Sequence, residues 1–241
     1  MLNWPVPKGA GRQKATSRVN IAWSFRLIVC GIFCVLLLMP SLALSQTVEA
    51  SEKGTNAVQP PDKVMDAAAV KPGMVIGEVG AGRGRFTVHL AYRVGETGRI
   101  YANDINQASL DHLRDRCRQD GIRNIEIIVG KEEEPLFPKG ALDMVFMVLT
   151  YHHLSGPVAL LKNVIPSLKP GATIVIVDPD PVKSHWQANE TTSPEKMRRE
   201  AAEAGLEIAD TQTFLARDTI FILRVKSLKK VSTWQGPLPL K

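Results

Sequence analysis

From residue 62 onward, apolar positions fall alternately at helical and at strand spacing. Residues 62–70 read as a short helix stopped by Lys71, Pro72 and Gly73, and residues 74–79 as a buried strand. Phe86, Leu90 and Val94 recur on one face of a helix over 85–94, and 99–104 is a second strand. Asn106 stands where it would cap a helix whose Leu110, Leu113 and Cys117 share a face, ending near Gly121. Strands follow at 125–129 and 142–149, then a helix over 155–168 with Pro157 in its first turn. Residues 172–177 are apolar without interruption, as expected of a strand covered on both faces. A helix from Ser193 to Ala204, ended by Gly205, leads to two last strands, 207–214 and 219–225, joined by a short turn. The alternation predicts an α/β fold, with a mostly parallel seven-stranded sheet, helices on both faces and an antiparallel last strand.

Residues 27–39 break this pattern with an unbroken apolar run, LIVCGIFCVLLLM. Lys8, Arg12, Lys14, Arg18 and Arg26 precede it, and Pro40 and then Ala43, Leu44 and Ser45 follow. A helix of that length reaches about 20 Å, short of the roughly 30 Å hydrocarbon layer. Residues 1–45 therefore read as a signal peptide, with cleavage after Ser45 or after Ala43. If it stays uncleaved, the stretch over 27–44 is an N-terminal membrane anchor. Either version puts the domain outside the cytosol, periplasmic or extracellular, with the positive charge left inside. Residues 46–61, polar and ending in Pro60 and Pro61, read as a linker, 62–226 as the domain, and 227–241 as a basic tail.

Charge follows the same division. The chain carries 30 basic and 24 acidic residues, a formal net charge of +6. The leader holds five of the basic residues and no acidic one, which leaves 25 against 24 in the remainder. The folded part thus offers no electrostatic case for a nucleic-acid partner. Cys30 and Cys34 lie in the leader, and Cys117 alone makes neither an intrachain disulfide nor a thiolate zinc site.

The sharpest local signal is EVGAGRG, residues 78–84, between the first strand and the first long helix. Glycines there let the backbone turn tightly and approach a ligand, and the next helix points its N-terminus at the same place. The spacing fails both the dinucleotide fingerprint and the P-loop. Glu78, inside the turn, would repel a pyrophosphate but suits an ammonium. Asp104, which ends the second strand, is placed to accept two ribose hydroxyls.

Taken with YAND (101–104), LDMVF (142–146) and LKPGATIVIVD (168–178), this turn resembles the class I S-adenosylmethionine-dependent methyltransferases, in their small-molecule branch. The resemblance spans about 60–226 and implies a Rossmann-like fold and S-adenosylmethionine as cofactor. It implies that Glu78 and the backbone around Gly80, Ala81, Gly82 and Gly84 face the methionine end, that Asp104 holds the ribose, and that Ile105 packs on the adenine. One departure is Lys131, which stands where the family commonly has an Asp that reaches the adenine amino group. Glu132 or Glu133 is the candidate substitute, or a backbone carbonyl.

The methyl acceptor should be a small molecule over the ends of strands four and five. His152 and His153 after strand four are candidate general bases, and two adjacent histidines without a third ligand give no expectation of a metal. Asp178 and Asp180 after strand five would orient an acceptor, although Asp before Pro is also ordinary turn chemistry. Trp186 lies in a loop long enough to be a lid. Two other readings remain: an isoaspartyl-type protein methyltransferase, suggested by KPGM (71–74), and a non-catalytic binding module on the same fold.

Overall fold

The structure is a computed structural model that describes residues 50–226. The chain divides into two units, Met1–Ser51 and Glu52–Lys241. The leader and the basic tail lie outside the described residues. Among the described residues no helix is long and apolar enough to cross a membrane.

Seven strands form one sheet in the order β3-β2-β1-β4-β5-β7-β6. They are β1 (Val75–Val79), β2 (Arg99–Asp104), β3 (Ile125–Val129), β4 (Leu142–Val148), β5 (Leu168–Pro179), β6 (Leu206–Gln212) and β7 (Asp218–Val225). The first five are parallel, and β7 runs antiparallel between β5 and β6. The strand order reverses between β1 and β4, and at such a point a crevice opens beyond the carboxyl ends of the strands.

The helices are α1 (50–58), α2 (Pro61–Ala67), α3 (Thr87–Val94), α4 (Gln107–Gln119), α5 (Pro157–Val164) and α6 (Pro194–Glu203). Period-two alternation in β4 feeds two cores. Met144, Phe146 and Val148 pack with α2 and α3 through Val64, Met65, Leu90 and Val94. Val145 and Met147 pack with α5 and α6 through Leu160, Leu161, Met197 and Ala201. Ile174 to Val177 are fully buried, as their unbroken apolar run requires. The predicted Asn106 cap forms, its side chain accepting from Ser109 N, and the Ser193 side chain accepts from Lys196 N at the start of α6.

Two stretches depart from the sequence reading. β5 does not stop at Val177 but runs on through Asp178 and Pro179, because β7 pairs with it to the end (Asp178 with Thr219, Pro179 with Asp218). The stretch read as a linker is helical over 50–58. Its Glu52 accepts from Arg116 on α4, Asn56 from Arg85, and Gln59 is fully buried. Its polarity serves hydrogen bonds to the domain instead of solvent.

Candidate active site

The β1–α3 turn is fixed by close contact. Gly80 has φ +75°, and a Cβ there would sit 2.3 Å from Thr150 Oγ1 at the end of β4. Glycine is thus required both by conformation and by space. Ala81 N donates to the Asn103 carbonyl at 2.9 Å. Gly82 N donates to Asp104 Oδ2 at 2.8 Å, and Asn106 N to Asp104 Oδ1 at 2.8 Å. Each carboxylate oxygen has a second lone pair, so Asp104 is oriented by the backbone and still able to accept from a ligand.

A cavity of about 430 Å³ opens above these strand ends. Gly80, Asp104, Ile105, Glu132 and His153 line it, together with Asn103, Thr150, Leu154 and Ser155, none of which was singled out from sequence. Ile105 is 59% exposed, a bare apolar side chain on the rim. Leu149, also in the wall, holds φ +54° without being glycine. Such strain persists where the surroundings impose it, and here Leu149 N is held by the Val177 carbonyl at 2.9 Å. Lys131 is tied to Glu134 at 2.7 Å, while Glu132 accepts from Ser155 Oγ at 3.1 Å. Both Lys131 and Glu132 border the cavity.

Four turn residues expected to face the ligand, Glu78, Ala81, Gly82 and Gly84, do not border the cavity. Ala81 is buried among Ala102, Leu110 and Leu113. Gly84 lies against Leu113, whose Cδ1 would be 2.4 Å from a Cβ. Beyond Gly80 the turn winds down onto α4, so these two pack and Gly82 serves as the anchor of Asp104. Glu78 is 2% exposed and lies behind the wall. Burial pushes its carboxyl up to about 7, against the pull of nearby Thr87 and Arg85. Neither Glu78 Oε2 nor Thr87 Oγ1 completes a hydrogen bond among the described residues.

The histidines separate in role. They share a short 3-10 turn, Tyr151–His153, with ring centroids 3.9 Å apart. His153 lines the cavity, and burial followed by the neighbouring His152 lowers its pKa, favouring the neutral ring. The His152 side chain is 1% exposed, with Nδ1 3.0 Å from Asp178 Oδ1. Asp178 is fully buried within β5, not on a loop, and its Oδ2 accepts from Thr192 Oγ1 at 2.7 Å. Asp180 does turn chemistry, accepting from Val182 N, Lys183 N and Thr219 Oγ1. The Trp186 ring meets His152 edge-on at 5.7 Å, and the Arg217 guanidinium lies 5.1 Å over it.

A second network joins distant segments. Arg85 donates to Asn56 at 2.8 Å and to Gln59 at 2.7 Å, and Gln59 donates on to Asp218 at 3.1 Å. Asp218 also holds Arg217 through both oxygens, at 2.8 and 3.0 Å.

Comparison with known proteins agrees with this fold. Residues 76–171 match a family described as "Methyltransferase domain". Over 115 residues, 47% of this chain and 45% of the relative, the sequence is 27% identical to the ubiquinone/menaquinone biosynthesis C-methyltransferase UbiE of Hydrogenovibrio crunogenus. A Vibrio vulnificus protein of the same name is also 27% identical, over 47% of this chain and 44% of its own. The chain thus spans less than half the length of these curated relatives. Among solved structures, a SAM-dependent methyltransferase from Aquifex aeolicus superposes with a TM-score of 0.64 at 25% identity, covering 68% of this chain and 88% of that one. The [4+2]-cyclase SpnF, at 15% identity, shares the fold with a TM-score of 0.60 over 70% of this chain and 81% of its own. Residues 76–171 thus match a methyltransferase domain, and the sheet order is that of S-adenosylmethionine-dependent methyltransferases of known structure.

Proposed function

We propose that the chain transfers the methyl group of S-adenosylmethionine to a small organic acceptor at the ends of β4 and β5. The observation that carries this reading is the convergence of Gly80, Asp104, Ile105 and His153 on one cavity of about 430 Å³. These residues fit the cofactor: Asp104 would take the ribose hydroxyls, Ile105 the adenine face and Glu132 the adenine amino edge. The cofactor supplies an electrophilic methyl group on a sulfonium. The chain's own work is to hold the acceptor in line, keep water out and accept a proton where the acceptor must lose one. The curated relatives are named for quinone biosynthesis, and an apolar aromatic acceptor of that kind suits walls that include Leu149 and Leu154. The leader supports export, or anchoring through 27–44, as the setting of this activity.

Calorimetry with S-adenosylmethionine tests the reading, with NAD as the control ligand. Binding of the first and not the second is expected. The Asp104→Ala variant should bind about 10- to 150-fold more weakly, the loss of about 1.5–3 kcal/mol expected for hydrogen bonds to a charged group. Equal affinity in that variant removes Asp104 from the site. Absence of S-adenosylmethionine binding by the folded chain overturns the function.

A further inference from the structure

We propose that helix α1 is a strap seated beside the glycine turn, latched by the neutral ring of His89 and released when that ring takes up a proton. The inference goes beyond the catalytic reading and holds whatever the cavity binds.

The seat is polar. None of residues 50–58 is buried. Glu52 accepts from Arg116 of α4 through both oxygens, at 3.2 and 3.1 Å. Asn56 accepts at 2.8 Å from Arg85, the residue that follows Gly84 of the turn. A surface helix without a buried apolar face is drawn from the low-stability end of a fold, and it opens without unfolding the rest.

The latch follows from what each group can donate. A guanidinium only donates, so Arg85 fixes the Asn56 amide with Oδ1 toward itself. The amide nitrogen then faces Nε2 of His89, at 3.5 Å. An amide NH2 also only donates, so Nε2 must present its lone pair, and the hydrogen of the neutral ring lies on Nδ1. A proton on Nε2 sets donor against donor. It also adds a positive charge beside Arg116 and Arg85, the two cations that hold α1.

The charged and titratable groups around His89 come from every element packed there. They are Glu52 on α1, Asp62 on α2, Arg85 before α3, and Arg116 on α4. Tyr92 and Arg93 of its own helix line a cavity of about 310 Å³ with His89, Asp62 and Met65, which gives solvent protons a path to the ring. Burial, then Arg116, holds the imidazole below its ordinary range, with Arg85 acting in the same sense and Asp62 and Glu52 opposing. Both opposing carboxylates are already committed, Glu52 to Arg116 at 3.1 Å and Asp62 to Arg93 at 3.0 Å. The seated form therefore binds fewer protons than the released one. Its stabilisation by His89 is complete above the ordinary value of about 6.5 and is lost as pH falls below it. Release takes Asn56 from Arg85, so one brace on the glycine turn depends on pH.

The test uses the full chain. Hydrogen exchange read by mass spectrometry, corrected for the intrinsic pH dependence of exchange, follows residues 52–58 between about pH 5 and pH 8. Protection of this segment should fall toward acid, by up to about tenfold for each unit by which seating lowers the His89 pKa. Segments in α4 and β1 should keep theirs. His89→Gln, whose side chain stays neutral and can still accept from Asn56, should hold the strap at all these pH values. Glu78, which lies behind Arg85 and titrates in the same range, is present in both proteins, so the difference between them belongs to His89. Proton NMR gives the reciprocal reading. The His89 pKa, assigned by its loss in His89→Gln, should rise toward the ordinary value in Asn56→Ala. Protection of 52–58 that ignores pH, an equal acid loss in His89→Gln, loss of protection across the whole domain together with the strap, or an unmoved His89 pKa in Asn56→Ala each overturns the proposal.

Discussion

Glu78 shows how one buried side chain couples the site to stability. Its carboxyl is pushed from 4.5 up to about 7 by burial, so the folded chain holds a proton that the unfolded chain has already released. The native state therefore binds more protons across that window, and stability must fall as pH rises through it. The linkage is worth about 2–3 kcal/mol between pH 5 and pH 8. Urea unfolding of the wild type should lose that much over the interval, and Glu78→Gln should lose correspondingly less. Parallel pH dependence in the two proteins would show that Glu78 stays charged throughout. At this scale much of the site is legible in sequence, because a glycine turn and a carboxylate at a strand end are local signals. Ala81 and Gly84 belong to the same linear motif yet pack against α4. A linear motif does not show where the turn stops facing the crevice and starts facing Leu113.

At the scale of elements, legibility depends on whether apolar periodicity marks the piece. The strands and α3 to α6 announce themselves through their buried faces. Helix α1 does not, since its contacts are polar and their partners lie far along the chain. Arg85 is 26 residues from Gln59, and Asp218 is 159 away. The pairing of His152 with Asp178 was hidden in the same way, although each residue was a candidate singly. Register between β4 and β5, which no single segment encodes, brings them together. Gln59 gives the test. It is fully buried and joins Arg85 to Asp218, so Gln59→Ala leaves a guanidinium and a carboxylate each short of a partner. A loss of about 1–3 kcal/mol is expected in chemical denaturation. A neutral result would mean that the Gln59 bridge just after α1 contributes nothing to holding the domain together.

At the scale of the whole molecule, the folded unit and the leader can be tested apart. The compact unit begins at Glu52. Cleavage after Ser45 would therefore remove the five leader cations, Cys30 and Cys34 without touching a residue of that unit. What remains would carry 25 basic and 24 acidic residues, nearly neutral, with Cys117 buried as its one thiol. Such a product suits an oxidising compartment, since it has no exposed cysteine left to mispair. Expression of the full chain in a bacterial host, followed by fractionation and intact-mass measurement, decides the matter. A periplasmic or secreted species that begins at Gln46, or at Leu44 for the alternative site, is the expected result for a signal peptide. An intact species confined to the membrane fraction is the result for an anchor over 27–44. An intact species in the soluble cytosolic fraction would overturn export, and the enzyme would then meet S-adenosylmethionine where cells make it.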